Sequence, residues 1–210
     1  MLENVSPDHR VTSVEELDHL YGDPFPPSLY KELDHVSADY RAMIEASPFV
    51  VIATAGPDGL DCSPRGDAPG FVRVANEKLL QIPDRPGNNR TDSLSNILRD
   101  PRVGLLFLIP GIGETLRLNG SAAISVDPQL LESFAIGGKL PRSVLLVNVE
   151  AVYFQCSKAL VRSKLWDPSQ HIARSALPST GSMLTRLSKG AIDGETYDRE
   201  APVRIKKMLY

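Results

Sequence analysis

The 210-residue sequence has two cysteines, Cys62 and Cys156, and neither has a neighbour at the Cys-x-x-Cys spacing of a zinc site. No metal is therefore expected, and the usual fate of free cysteine predicts that both thiols are buried and reduced. Positive charge is not in excess: 23 Lys and Arg stand against 26 Asp and Glu, for a net charge of -3. That balance argues against a nucleic-acid binder, which needs a basic surface, so any bound anion must be met by a local patch. No run approaches the roughly 20 apolar residues of a membrane span. The opening MLENVSPDHRVTSVEELDHL lacks the basic start and apolar stretch of a secretion signal, so a cytoplasmic protein is expected. Gly-x-Gly-x-x-Gly and the Walker lysine loop are missing, and neither Ser63 nor Ser163 sits in a nucleophile-elbow glycine pattern. Of the four histidines, His9, His19 and His35 fall in the N-terminal region, where surface roles are expected, and His171 stands apart. Hydrolase chemistry has no support.

What is present is enough apolar material for a real core, 42% of the residues. Ser13-Val14-Glu15-Glu16 has capping-box spacing and opens a helix that carries Leu17, Leu20 and Tyr21. The prolines at 24, 26 and 27 end it. A second helix begins near Ser28, and a third runs from Ser37 to Ser47-Pro48. From Phe49 the pattern turns to strand: FVVIATAG, a GPDG turn and LDCSP read as a hairpin. FVRVA, LLQIP, RVGLLFLIPG, ETLRLNGSAAIS and SVLLVNVEAVYFQC follow as further strands. Asp127-Pro128 caps a helix that is expected to run through Ile136 to the Gly137-Gly138 stop. Six or seven strands with two intervening helices do not alternate as a doubly wound sheet does, so an antiparallel barrel is expected. Residues after Cys156 read as broken helix, and residues 187–210 as a polar tail.

Three polar clusters stand out. In IPDRPGNNRTDSLSNILRDP, the residues Arg85, Asn88, Asn89 and Arg90 precede a helix start at Thr91-Asp92-Ser93. Free N–H groups at a helix start together with guanidinium forks make a phosphate receptor, though the same residues also suit a tight turn with solvated arginines. In CSPRGD, the Arg65 guanidinium is placed to meet an electron-rich carbonyl and Asp67 to orient it; a local ion pair at a strand end is the alternative. In KALVRSKLW, Lys158 and Arg162 join the single tryptophan, Trp166, as cation and stacking face, or as a solvated basic face with an anchoring ring. Arg117 and Asn119 share one strand face.

Together, these clusters and the strands around them, over roughly residues 37–186, resemble the pyridoxamine 5'-phosphate oxidase-like FMN-binding split barrels, and within them a flavoprotein subfamily distinct from the true oxidase. The resemblance implies a mainly β fold with flanking helices (α+β): a six-stranded antiparallel split β-barrel of the FMN-binding type, with residues 1–36 as a helical extension and 187–210 as a tail. It implies FMN as cofactor, a homodimer with the cofactor at the interface, and a small-molecule substrate or electron donor. By position, Arg85, Asn89 and Arg90 would clamp the phosphate. Ser63, Pro64 and Arg65 would pass the isoalloxazine ring, and Ile82, Pro83 and Asp84 would lie beside the ribityl chain. Lys158, Arg162 and Trp166 would approach from a late segment, including from the partner subunit. The Arg-x-Ser pair and C-terminal dimerisation segment of true pyridoxamine phosphate oxidases are not found. That leaves an FMN-dependent oxidoreductase of unidentified substrate, with a non-enzymatic flavin binder or sensor, or a deazaflavin or haem protein, as alternatives.

Overall fold

The computed structural model describes Ser6 and residues 9–210. The chain forms two compact units, residues 1–32 and 33–210. In the first, α1 (Val14–Tyr21) and α2 (Pro27–Tyr30) are short. The Ser13 hydroxyl accepts the Glu16 N–H at 3.1 Å as the capping box predicts, but the Glu16 carboxylate reaches back to the N–H of Thr12 at 2.8 Å.

In the second unit, α3 (Ala38–Ala46) begins at a Ser37 cap and buries Tyr40 and Ile44. Seven strands follow in chain order: β1 (Phe49–Gly56), β2 (Gly59–Gly66), β3 (Arg73–Asn76), β4 (Leu79–Asp84), β5 (Arg102–Leu108), β6 (Thr115–Ser125) and β7 (Ser143–Gln155). They make one antiparallel sheet in the order β2-β1-β5-β6-β7-β4-β3. The count is seven, within the six or seven read from the strand pattern and one more than the six-stranded barrel the resemblance implied. The strand expected at FVRVA is β3, a four-residue edge piece that pairs with β4 through a register shift between Val74 and Asn76.

Alternate residues of the strands turn inward. Val50 and Ile52 of β1, Leu80 and Ile82 of β4, Phe107 of β5 and Leu116 and Leu118 of β6 are buried in one core with Ile44. The sheet curls until β2, at one edge, meets β4 from the far side of the strand order: Arg65 Nε lies 3.2 Å from Asp84 Oδ1. This is a mainly antiparallel fold with flanking helices, an open split barrel closed by side chains. Between β4 and β5, α4 (Asp92–Arg99) lies on β1, where the buried Asn96 donates to Thr54 Oγ1 at 3.2 Å.

The Asp127 cap opens α5 (Pro128–Ser133), with its carboxylate accepting the Leu130 N–H at 2.8 Å. The helix stops three residues before Ile136, because Gly137 and Gly138, both at positive φ, turn the chain between a bridged Ile136 and Lys139. After β7 come α6 (Lys158–Ser163), α7 (Thr180–Leu187) and α8 (Gly194–Met208). Most of the expected tail is thus the longest helix. The buried-thiol expectation is overturned: Cys62 and Cys156 are both free and exposed, Cys62 because it sits on the outer face of an edge strand. Among the described residues, no helix is long and apolar enough to cross a membrane.

Candidate functional site

Where β2 meets β4, the split of the barrel opens into a cleft of about 720 Å³. That is within the usual range for a small-molecule site. The period of β2 explains one wall: Asp61, Ser63 and Arg65 lie two apart, so all three turn to the same side while Leu60 and Cys62 face out. The opposite wall is the end of β4, Pro83 and Asp84, continued by the loop that starts at Arg85. The floor is the first turn of α4, and the start of β7 brings in Arg142 and Ser143.

Four arginines, Arg65, Arg85, Arg90 and Arg142, line the cleft against three aspartates, Asp61, Asp84 and Asp92. Their commitments differ. Arg85 donates from Nε to Asp67 at 3.1 Å and from Nη1 to the Phe134 carbonyl at 2.9 Å, so two of its donors point away from the cleft. Arg90 is well exposed and binds Asp92, two residues on, at 2.7–2.8 Å. Arg142 donates to Asn89 Oδ1 at 2.8 Å, with Asn89 held at φ 62°, a conformation asparagine tolerates. Arg65 Nε is buried and stands beside Asp84 as an ion pair without hydrogen-bond alignment, which leaves this N–H with no acceptor. A buried donor in that state is costly unless something takes it up.

Two sets of polar groups with opposite hydrogen-bonding character line the cleft. In one, the hydroxyls of Ser63, at 2.8 Å, and Ser93 both donate to Asp61 Oδ2. Each serine oxygen therefore presents lone pairs to the cleft, and a ligand must meet them with N–H or O–H groups. The Ser93 hydroxyl, more than the Ser63 hydroxyl or the nearby Arg65 charge, holds the Asp61 carboxyl below its ordinary value against the effect of burial. The other set is Arg142, Arg90 and the backbone N–H groups that open α4, whose Thr91 side chain makes no capping bond. Uncapped N–H groups and guanidinium donors together suit an anion. No histidine, cysteine, lysine or tyrosine is among the described residues lining the cleft.

Of the residues singled out from sequence, the cleft brings together Ser63, Pro64, Arg65, Pro83, Asp84, Arg85, Asn89 and Arg90. Ile82 lies behind it, 1% exposed in the core. Lys158, Arg162 and Trp166 do not line it. They follow the end of β7 whose first residue, Ser143, is in the cleft wall, and a thirteen-residue strand measures roughly 40 Å. Trp166 instead donates Nε1 to the Ile112 carbonyl at 2.8 Å. Sequence reasoning missed Asp61, Ser93 and Arg142. Asp61 was legible as the residue two before Ser63 on the same strand face, whereas nothing local marked Arg142.

A profile of the pyridoxamine 5'-phosphate oxidase family matches residues 36–156, more than half of the chain. The chain belongs to this family. Its family segment covers the seven strands, α4 and all the cleft-lining residues. No curated protein matches the sequence. Among solved structures, the oxidase-family fold is similar to HupZ of Group A Streptococcus, at 16% identity over 58% of this chain and 95% of that one, with a TM-score of 0.48. It is also similar to General Stress Protein 26 of Bacillus anthracis, at 17% identity over 54% and 88%, with a TM-score of 0.41. An FMN-binding protein of Syntrophomonas wolfei matches at 9% identity over 54% and 82%, with a TM-score of 0.42.

Proposed function

We propose that the cleft binds FMN and that the protein is an FMN-dependent oxidoreductase acting on a small molecule. The observation that carries this reading is the joining in one cleft of an accepting set, Ser63 and Ser93 on Asp61, and a donating set, Arg142, Arg90 and the start of α4, with Arg65 Nε paired to Asp84 but without a hydrogen-bond acceptor. FMN has matching parts: a phosphate, a polyol chain of hydroxyl donors, and a ring whose carbonyl edge accepts. Arg142, Arg90 and the α4 turn would hold the phosphate. Ser63 and Ser93, oriented by Asp61, accept from hydroxyl donors, and Arg65 meets the ring edge and favours electron density there. Two or three charge-assisted bonds at about 1.5–3 kcal/mol each supply much of the roughly 8 kcal/mol of micromolar binding. When bound, FMN supplies the hydride and electron chemistry, so the chain needs no nucleophile or acid–base dyad of its own.

The same reading includes a homodimer, in which α6 with Lys158 and Arg162, a strand's length from the cleft of its own chain, would meet the cleft of a second copy. The carboxylates in the lining are engaged, Asp61 by two serine hydroxyls and Asp84 and Asp92 by arginines, which favours one second reading, a protein that holds FMN without turnover. The test is spectroscopic. Purified protein titrated with FMN should quench flavin fluorescence and show the flavin absorbance bands. Arg142→Ala should weaken FMN by about 1.5–3 kcal/mol while riboflavin, which has no phosphate, loses little. Equal losses for both ligands would take the phosphate away from Arg142. Reduction of the bound FMN by NADH or NADPH, followed by reoxidation by an added acceptor, separates the oxidoreductase from the silent binder. A haem or deazaflavin spectrum would replace the cofactor.

A further inference from the structure

Helices α7 and α8 pack together so closely that a Cβ on Gly181 would lie 2.0 Å from the Gly194 carbonyl oxygen. This pair meets the barrel through Tyr210, just beyond α8. The Tyr210 hydroxyl donates to Asp67 Oδ1 at 2.7 Å, and its backbone oxygen accepts from Lys139 Nζ at 2.6 Å. The ring centre lies 5.5 Å from the Arg85 guanidinium carbon. Asp67 is the hinge of this arrangement. Its side chain is 3% exposed, Oδ1 also accepts the Ala68 N–H at 2.8 Å, and Oδ2 takes Arg85 Nε. A buried carboxylate holds a guanidinium in place when its remaining lone pairs are also satisfied, and Tyr210 does that here.

We propose that Tyr210 is a positioning residue for the cleft: by holding Asp67 and covering Arg85 it fixes the arginine that ends the cleft wall, so that anion binding in the cleft and docking of α8 on the barrel form one coupled equilibrium. The ligand in this inference rests on the flavin reading; the Tyr210–Asp67–Arg85 chain does not. Coupling is reciprocal, so an anion held by the Arg85 donors that Asp67 and Phe134 leave free tightens α8, and release of α8 weakens the anion.

Hydrogen exchange across residues 194–208 reads it. In the ligand-free protein, Tyr210→Phe, which keeps the ring and loses the hydroxyl, should speed exchange of the α8 amides, and Arg85→Ala should do the same from the cleft side. FMN added to the unaltered protein should slow these amides, and Tyr210→Phe should weaken FMN about fivefold or more, within the usual range of such couplings, with riboflavin less affected. A general loss of fold would move both ligands alike and all helices alike. Unchanged α8 exchange in both ligand-free variants overturns the inference, as does FMN that binds without altering α8 and binds Tyr210→Phe as tightly as the unaltered protein. Failure of the unaltered protein to bind FMN overturns the flavin reading instead, and the ligand-free arm then decides the relay.

Discussion

Asp67 and Arg85 form a pair with side chains 3% and 15% exposed, so Asp67→Ala leaves a guanidinium buried without its counter-charge. The expected cost is on the order of 3 kcal/mol, measured by denaturant unfolding, with Asp67→Asn costing less because it still accepts from Tyr210 and Ala68. Burial pushes the Asp67 carboxyl up, but the Tyr210 hydroxyl, the Ala68 N–H and Arg85 together bring it below its ordinary 3.8. A folded-state value below the unfolded one adds stability above about pH 3.8, and that contribution is lost as pH falls through the folded value. Acid unfolding of Asp67→Asn should therefore be less steep below pH 4 than that of the unaltered protein. An identical acid limb in the two proteins would remove Asp67 from the account. At this scale the sequence was legible where chemistry is local. Arg65 and Asp84 were recognisable from their motifs, but their pairing was not, because β2 and β4 meet only after the sheet has curled. Arg85 was expected on a phosphate, yet two of its donors belong to Asp67 and Phe134, partners 18 and 49 residues away. Arg142 reaches Asn89 across 53 residues, a contact no spacing rule could show.

The curl itself depends on the longest strand pair. β6 and β7 pair from Thr115↔Gln155 to Ser125↔Val144, with a register shift between Asn119 and Gly120. A Cβ at Gly120 would lie 1.9 Å from the Asn148 carbonyl oxygen, which is backbone and cannot step aside. Such a bulge bends a strand and raises its twist, which bends the long strands of this sheet toward closure. Gly120→Ala is therefore expected to destabilise the fold by about 3 kcal/mol or more, in the rare upper range of single substitutions, and to lower the melting temperature even without ligand. A melt within a degree of the unaltered protein would show that the bulge carries no such constraint. Strand existence was legible from β-branched runs and the GPDG turn, since period-two burial is a local property. The bulge was not, because Asn119-Gly120 in LRLNGSA reads as an ordinary strand stretch until Asn148 is set against it. Helix α8 was missed for another reason. Its sequence GETYDREAPVRIKKM is polar and holds Pro202, so without its contact to α7 it has the composition of a tail.

For the molecule as a whole, the governing distance is the one between two basic groups. Arg142 stands at the start of β7, and Arg162 follows its end, with a strand of roughly 40 Å between them. One chain cannot bring both to the same small ligand by moving a side chain. If the FMN site is built from two copies related by a two-fold axis, each site takes Arg142 from one protomer and Arg162 from the other. This arrangement predicts complementation. Homodimers of Arg142→Ala and of Arg162→Ala should each have two weakened sites. In a heterodimer, one site then carries both substitutions and the other carries neither. Mixing the two variants under conditions that exchange subunits gives about half heterodimers by random pairing, so about a quarter of all sites should regain unaltered FMN affinity. Fluorescence titration of the mixture should show that fraction as a tight phase that neither variant shows alone. Sedimentation at the titration concentration must show dimers. A monomeric protein that binds FMN, or a mixture with no tight phase, would confine the site to one chain and leave Lys158, Arg162 and Trp166 outside it.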